Sequence, residues 1–151
     1  MLGRPFLDFD DELERRTRMP VAEIFSRHGE VHFRTLELGL TQELVNSKGA
    51  ILAPGGGWIT VPGALALLRP PGRMIYLRVA PEVAILRMGE DRNRRPLLQG
   101  PEPVAVLRRL NAQREPAYLQ ADYVVDTDTI AIELVAAQIA RFVAPIGESY
   151  V

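Results

Sequence analysis

The chain has 151 residues, 47% hydrophobic and 25% charged, with a net charge of −1, which suits one globular domain. A charge so near zero argues against bulk electrostatic binding to nucleic acid or anionic membrane, and without cysteine neither disulfides nor thiolate metal sites can form. No apolar run is long enough to span a bilayer, the N-terminus lacks the apolar stretch of a signal peptide, and a cytoplasmic monomer is the expectation.

Phe6-Leu7-Asp8-Phe9 reads as a short strand running into acidic residues. Asp11 and Glu14, at capping-box spacing, then predict a helix start. Residues 20–28 form a second helical segment, with Val21, Ile24, Phe25 and His28 on one face and Gly29 ending it. Residues 30–46 follow as a longer helix with Phe33, Leu36, Leu40 and Leu44 at helical spacing. Residues 50–53 are a short apolar run bounded by Gly and Pro, the pattern of a buried strand. Residues 61–68 predict a short helix, 74–79 a strand, and 81–88 a helix with Pro81 at its first position. The segment 89–100 is polar, arginine-rich and expected to be mobile. Residues 102–113 are helical, Tyr123-Val-Val-Asp126 is a strand, and 129–143 is a closing helix. This alternation predicts an α/β domain with a parallel sheet, whose ligands gather at the carboxyl ends of the strands. Asp8, Asp10, the triplet Gly55-Gly56-Gly57 and Asp126 all stand at such ends.

Asp8 and Asp10, two apart at a strand end, can serve a metal ion and a base, or Asp10 or Asp11 can simply cap the next helix. Arg34 and Arg114 taken singly read as surface residues as readily as ligand contacts. The cluster Arg92, Arg94 and Arg95 suits a solvated loop or a phosphate clamp, because guanidinium forks match phosphate oxygens. His28 and His32 lack an evident third ligand and read as helix-face residues. Trp58 either walls a pocket or packs beneath a loop. The glycine triplet is not followed by Lys, so it is not a phosphate-binding loop of the form G-x-x-x-x-G-K-[ST].

Together, and in this order, "LDFD", "IFSRHGEVHFRTLE", "GGG", "RPLL" and "REPAY" resemble the shikimate kinase family over nearly the whole chain. The resemblance implies a P-loop NTPase fold of the nucleoside monophosphate kinase type, a parallel sheet flanked by helices. It implies a single domain over 1–151, with a substrate-binding helical region at 10–48 and a lid at 89–101. It implies transfer of the γ-phosphate of ATP to the 3-hydroxyl of shikimate, with Mg2+, in aromatic amino acid biosynthesis. By the same resemblance Asp8 is the magnesium-associated acid. Asp10 binds the shikimate hydroxyls and is placed as the base. Arg34 and Arg114 pair with the shikimate carboxylate, Gly55, Gly56 and Gly57 lie against shikimate, and Arg95 reaches the transferring phosphate. Arg87 roughly matches a nucleotide-side arginine, one residue out of register.

The family's P-loop is absent from this sequence, and with it the strand that the family places at the centre of its sheet. Residues 1–3 match the end of the helix that follows that loop, with Gly3 as its cap. The missing strand, loop and helix are expected just ahead of Met1, and the chain without them is expected to show no ATP-dependent phosphorylation. Pro54 departs from the small or hydroxyl residue common before the glycines, and "DTDTIAIE" offers no arginine for adenine. Two alternatives stay open: a related small-molecule kinase, and a ligand-sensing or pseudokinase domain without ATP chemistry.

Overall fold

The computed structural model describes residues 2–144. β1 (Phe6–Asp8) runs directly into α1 (Phe9–Thr17). Asp8 makes that junction. Its backbone is still extended, and its Oδ1 accepts hydrogen bonds from the N–H groups of Asp10 at 2.9 Å and Asp11 at 3.2 Å. A carboxylate there satisfies amides that the first turn leaves without partners and meets the positive end of the helix dipole. The cap therefore lies upstream of the expected capping box. Glu14 instead accepts the Val21 N–H at 2.8 Å and fastens the start of the next helix. Asp10 is already helical, so the acid pair expected at the strand end is split between β1 and α1.

α2 (Val21–Leu44) combines the two expected helices across a break at Gly29. Gly29 has φ 82° and ψ 169°, a conformation open essentially to glycine alone. Beyond the break, Phe33, Glu37, Leu40 and Thr41 are buried, whereas Leu36 and Leu44 pack only at the margin. His28, expected on the inner face, is exposed; it is the last residue before the break, where that face leaves the core. Gly3 has φ 58°, as a helix cap would, but residues 2–5 form no helix, and Met1 lies outside the described residues.

β2 (Ile51–Ala53) pairs in parallel with β1, Phe6 opposite Ile51 and Asp8 opposite Ala53. A short 3-10 turn at Trp58–Thr60 leads to α3 (Ala64–Leu68). β3 (Ile75–Arg78) is followed by α4 (Pro81–Met88). Two further 3-10 turns, Gly89–Arg94 and Pro96–Leu98, make up the arginine-rich segment, with Leu98 buried. α5 (Pro103–Tyr118) continues past its expected end and through Pro116. Proline removes one ladder donor, but here it falls in the last turn, and the Leu119 N–H still bonds the Glu115 carbonyl at 2.9 Å. β4 (Tyr123–Asp126) pairs in parallel with β3, Ile75 opposite Tyr123 and Arg78 opposite Asp126, and α6 (Ile132–Val143) closes the described chain.

Among the described residues the strands thus form two parallel pairs rather than one continuous sheet. Ile51 and Leu52 of β2 and Ile75 and Leu77 of β3 line a common cleft of about 1290 Å³. This is why β2 is not the buried strand its sequence suggests: Ile51 is 38% exposed. The core is correspondingly one-sided. Phe9, Leu13, Ile24, Phe33, Leu40 and Trp58 pack together, all from α1, α2 and the turn after β2. The second half contributes scattered buried residues, among them Val125, Val135 and Ala140. Among the described residues, no helix is long and apolar enough to cross a membrane.

Candidate active site

The cleft continues to the carboxyl ends of β1 and β2, where Asp10, Arg34, Glu37, Arg95 and Arg114 line it together with the glycine triplet. Each glycine borders a different functional side chain. A Cβ on Gly55 would stand 3.4 Å from Asp10 Oδ1 and 3.5 Å from Glu37 Oε1. One on Gly56 would stand 3.2 Å from the Tyr118 hydroxyl and 3.6 Å from Arg114 Nη1, and one on Gly57 would overlap the Arg34 guanidinium. The space that glycine leaves at position 57 is therefore taken by Arg34 itself rather than reserved for a ligand.

Arg34 is held from both sides. Nη1 donates to Glu37 Oε2 at 2.6 Å and Nη2 to Glu30 Oε1 at 3.0 Å, and the guanidinium lies 5.6 Å from the Phe33 ring centroid. Glu37 is fully buried. Burial pushes its carboxyl above the ordinary value, and Arg34 opposes that push. Glu37 Oε1 and Arg34 Nε are buried without a hydrogen-bond partner among the described residues. Buried polar atoms are nearly always paired, so such orphans mark a place for polar groups of a ligand or water.

Asp10 is likewise held above the ordinary carboxylate range, chiefly by burial and then by Asp8, with Arg95 and Arg34 pulling the other way. A carboxylate with a raised pKa is a stronger proton acceptor. Asp8 has one oxygen committed to the helix cap, and Oδ2 has no hydrogen bond among the described residues. Among the described residues, no group of three or more acidic or histidine side chains gathers to form a metal cage. Arg87 does not line this cleft. Its Nη2 donates to the carbonyls of Thr127 at 2.6 Å and Asp128 at 3.0 Å, securing the loop after β4. Arg94 reaches Glu14 at 3.3 Å and ties the arginine-rich segment to α1.

Two participants escaped the sequence reading. Glu37 sits in the apolar stripe Phe33–Glu37–Leu40, where an acid three residues after an arginine was the available signal. Tyr118 was hidden because the helix was expected to end at residue 113, whereas α5 runs on to Tyr118.

Parallel strands, flanking helices and a cleft where Asp10 and Glu37 meet Arg34, Arg95 and Arg114 define an α/β protein suited to a small, anionic, hydroxyl-bearing ligand. The family model for shikimate kinase matches residues 1–144. A shikimate kinase from Thioalkalivibrio sulfidiphilus is 40% identical over 142 residues, 93% of this chain and 74% of that protein. One from Moorella thermoacetica is 42% identical over 141 residues, covering 91% and 79%. Among solved structures, shikimate kinase from Acinetobacter baumannii in complex with shikimate superposes with a TM-score of 0.88 at 38% identity, covering 93% of this chain and 79% of that one. The chain belongs to the shikimate kinase family. It is accordingly a kinase on the parallel-sheet α/β fold of the P-loop class.

Proposed function

We propose that this protein transfers the γ-phosphoryl group of ATP to the 3-hydroxyl of shikimate, with Arg34 and Arg114 holding the substrate carboxylate and Asp10 acting as base. The carrying observation is the convergence of two arginines from different helices on adjacent glycines, 57 and 56, with Asp10 beside the third. Two guanidinium groups suit one carboxylate because each offers a planar fork of donors. That fixes a small polar ring that has little apolar surface to hold. Gly55 and Gly56 let the ring lie against the backbone, Gly57 lets Arg34 close on it, and the orphan Arg34 Nε and Glu37 Oε1 are available to its polar groups.

In the transfer, Asp10 accepts the proton of the 3-hydroxyl as that oxygen forms its bond to the γ-phosphorus, and the bond to the ADP oxygen breaks. Phosphoryl transfer needs mostly positioning and charge stabilisation. Arg95, in the segment 89–101 read as a lid, meets the charge on the transferring group once water is excluded. Asp8 would hold magnesium through Oδ2. A single carboxylate with no surrounding acidic cage suits this ion, which keeps waters and substrate phosphates as its other ligands. When bound, the ion neutralises phosphate charge. Arg87 belongs to the nucleotide side through its hold on the loop at Thr127 and Asp128.

The test is a coupled assay of ADP release dependent on shikimate, run on the chain preceded by the family's strand, P-loop and helix, because without them no phosphorylation is expected. Asp10→Asn should lower kcat by more than 100-fold, at the lower end of what a positioned base contributes. Its shikimate affinity should change far less, since Asn still accepts a hydrogen bond from a hydroxyl. Turnover in Asp10→Asn close to that of the unaltered protein would remove Asp10 from the base role.

A further inference from the structure

The two halves of the molecule share no strand ladder, yet the proposed carboxylate clamp needs one arginine from each: Arg34 on α2 and Arg114 on α5. Something must hold those helices in register at the site. The loop between them is pinned twice. On the α2 side, Trp58 Nε1 donates to Thr41 Oγ1 at 2.8 Å in the buried core. On the α5 side, the Tyr118 hydroxyl donates to the Gly56 carbonyl at 2.5 Å. Among the described residues this is the one side-chain hydrogen bond from α5 to the glycine loop. The other side-chain ties across the seam among the described residues, Arg69 to Asp122 at 2.6 Å and to the Gln120 carbonyl at 2.5 Å, and Arg94 to Glu14 at 3.3 Å, involve neither the glycine loop nor α5.

From this geometry we infer that Tyr118 is a positioning residue, tethering the glycine loop to α5 so that Arg114 and Arg34 face one ligand. Tyr118 stands one helical turn beyond Arg114, on the same face. Its ring stacks on Tyr76 of β3, centroids 4.7 Å apart at 25°, which fixes the direction of the hydroxyl. Burial holds that hydroxyl in its neutral, donating form. A Cβ at Gly56 would press on the same hydroxyl at 3.2 Å, so a side chain there would strain the tether. Tyr118 thus acts through Gly56 and Arg114, without touching the reacting atoms.

The inference rests on the proposed function for its ligand, and the experiment separates the two. Tyr118→Phe keeps the stack and removes the donor. Hydrogen exchange at the amides of Trp58, Thr60 and Val61, which are bonded within this loop, should quicken in the variant with no change in melting temperature. In the protein preceded by the P-loop segment, KM for shikimate should rise roughly 3- to 10-fold, the scale of one neutral hydrogen bond, with the loss falling on KM rather than kcat. An analogue with the carboxylate reduced to an alcohol should show no difference between the two proteins, since it does not engage the arginines. Unchanged loop exchange overturns the tether. Equal losses with shikimate and the alcohol, or a kcat loss accompanied by a fall in melting temperature, reduce Tyr118 to a structural role. If the unaltered protein neither binds nor phosphorylates shikimate, the functional reading falls, while the exchange comparison still decides the tether.

Discussion

Gly57→Ala separates backbone effects from side-chain effects at the site. Gly57 has φ −82° and ψ −15°, a right-handed conformation that alanine adopts freely. On backbone grounds alone the substitution would stabilise the protein by about 0.4–1 kcal/mol, through a less flexible unfolded chain. The new Cβ, however, would stand 2.7 Å from Arg34 Nη1 and closer still to Cζ and Nη2. The guanidinium must swing away, and it carries the 2.6 Å bond to buried Glu37. Breaking a buried pair outright costs about 3–5 kcal/mol. Arg34 lies at the end of a flexible side chain and can keep part of that contact, so a net loss of about 2 kcal/mol is expected. Shikimate affinity should fall by about 1.5–3 kcal/mol, roughly 10- to 150-fold, as charge-assisted bonds are misaligned. Urea unfolding and titration calorimetry measure the two effects. An alanine variant as stable as the parent or more so, with unchanged affinity, would refute the placement of Arg34 against Gly57.

Arg34→Ala and Arg114→Ala should each weaken shikimate binding by about 1.5–3 kcal/mol; calorimetry showing parental affinity in both would exclude the clamp. Asp10 has a folded pKa above its ordinary value of 3.8, so its charged form costs stability. That cost is absent below the unfolded pKa and complete above the folded one. Asp10→Asn should therefore be more stable than the parent at neutral pH, with the advantage shrinking as pH falls through the carboxylate range; thermal unfolding across pH checks this, and a variant less stable at neutral pH contradicts it. Trp58→Phe removes the donor to Thr41 but leaves the Thr41 hydroxyl bonded to the Glu37 carbonyl at 2.7 Å. It should cost about 1–2 kcal/mol in urea unfolding, and an unaffected midpoint would show that the pin contributes nothing.

The local elements were legible because their signals are local. Pro81 opened α4 where expected, Gly29 broke α2, and the apolar runs at β3 and β4 fell within a residue or two of their observed bounds. What escaped depended on partners distant in the chain. Asp8 was read as a possible metal ligand, yet it also caps α1, because the strand ends at Asp8 and the helix begins before the second acid of the pair. The roles of Glu37 and Tyr118 come from Gly55 and Gly56, some 20 and 60 residues away in sequence. The glycine triplet was read as room for a ligand. At Gly57 that room is occupied by an arginine, which no spacing within "GGG" could reveal.

The one-sided core ties ligand binding to the integrity of the fold. Asp10, Arg34 and the glycine loop travel with the well-packed half, and Arg114 travels with the sparsely packed half. A molecule gripped by both arginines supplies cohesion across a seam that no ladder crosses. By mass action, ligand at 100 times its dissociation constant adds about 2.7 kcal/mol to the folded state. In this architecture that increment acts on the junction between the halves. The relation is reciprocal: whatever loosens the docking of α5 must weaken the ligand, even from the far side of the helix. Affinity here is in part a measure of how firmly the two halves already hold each other.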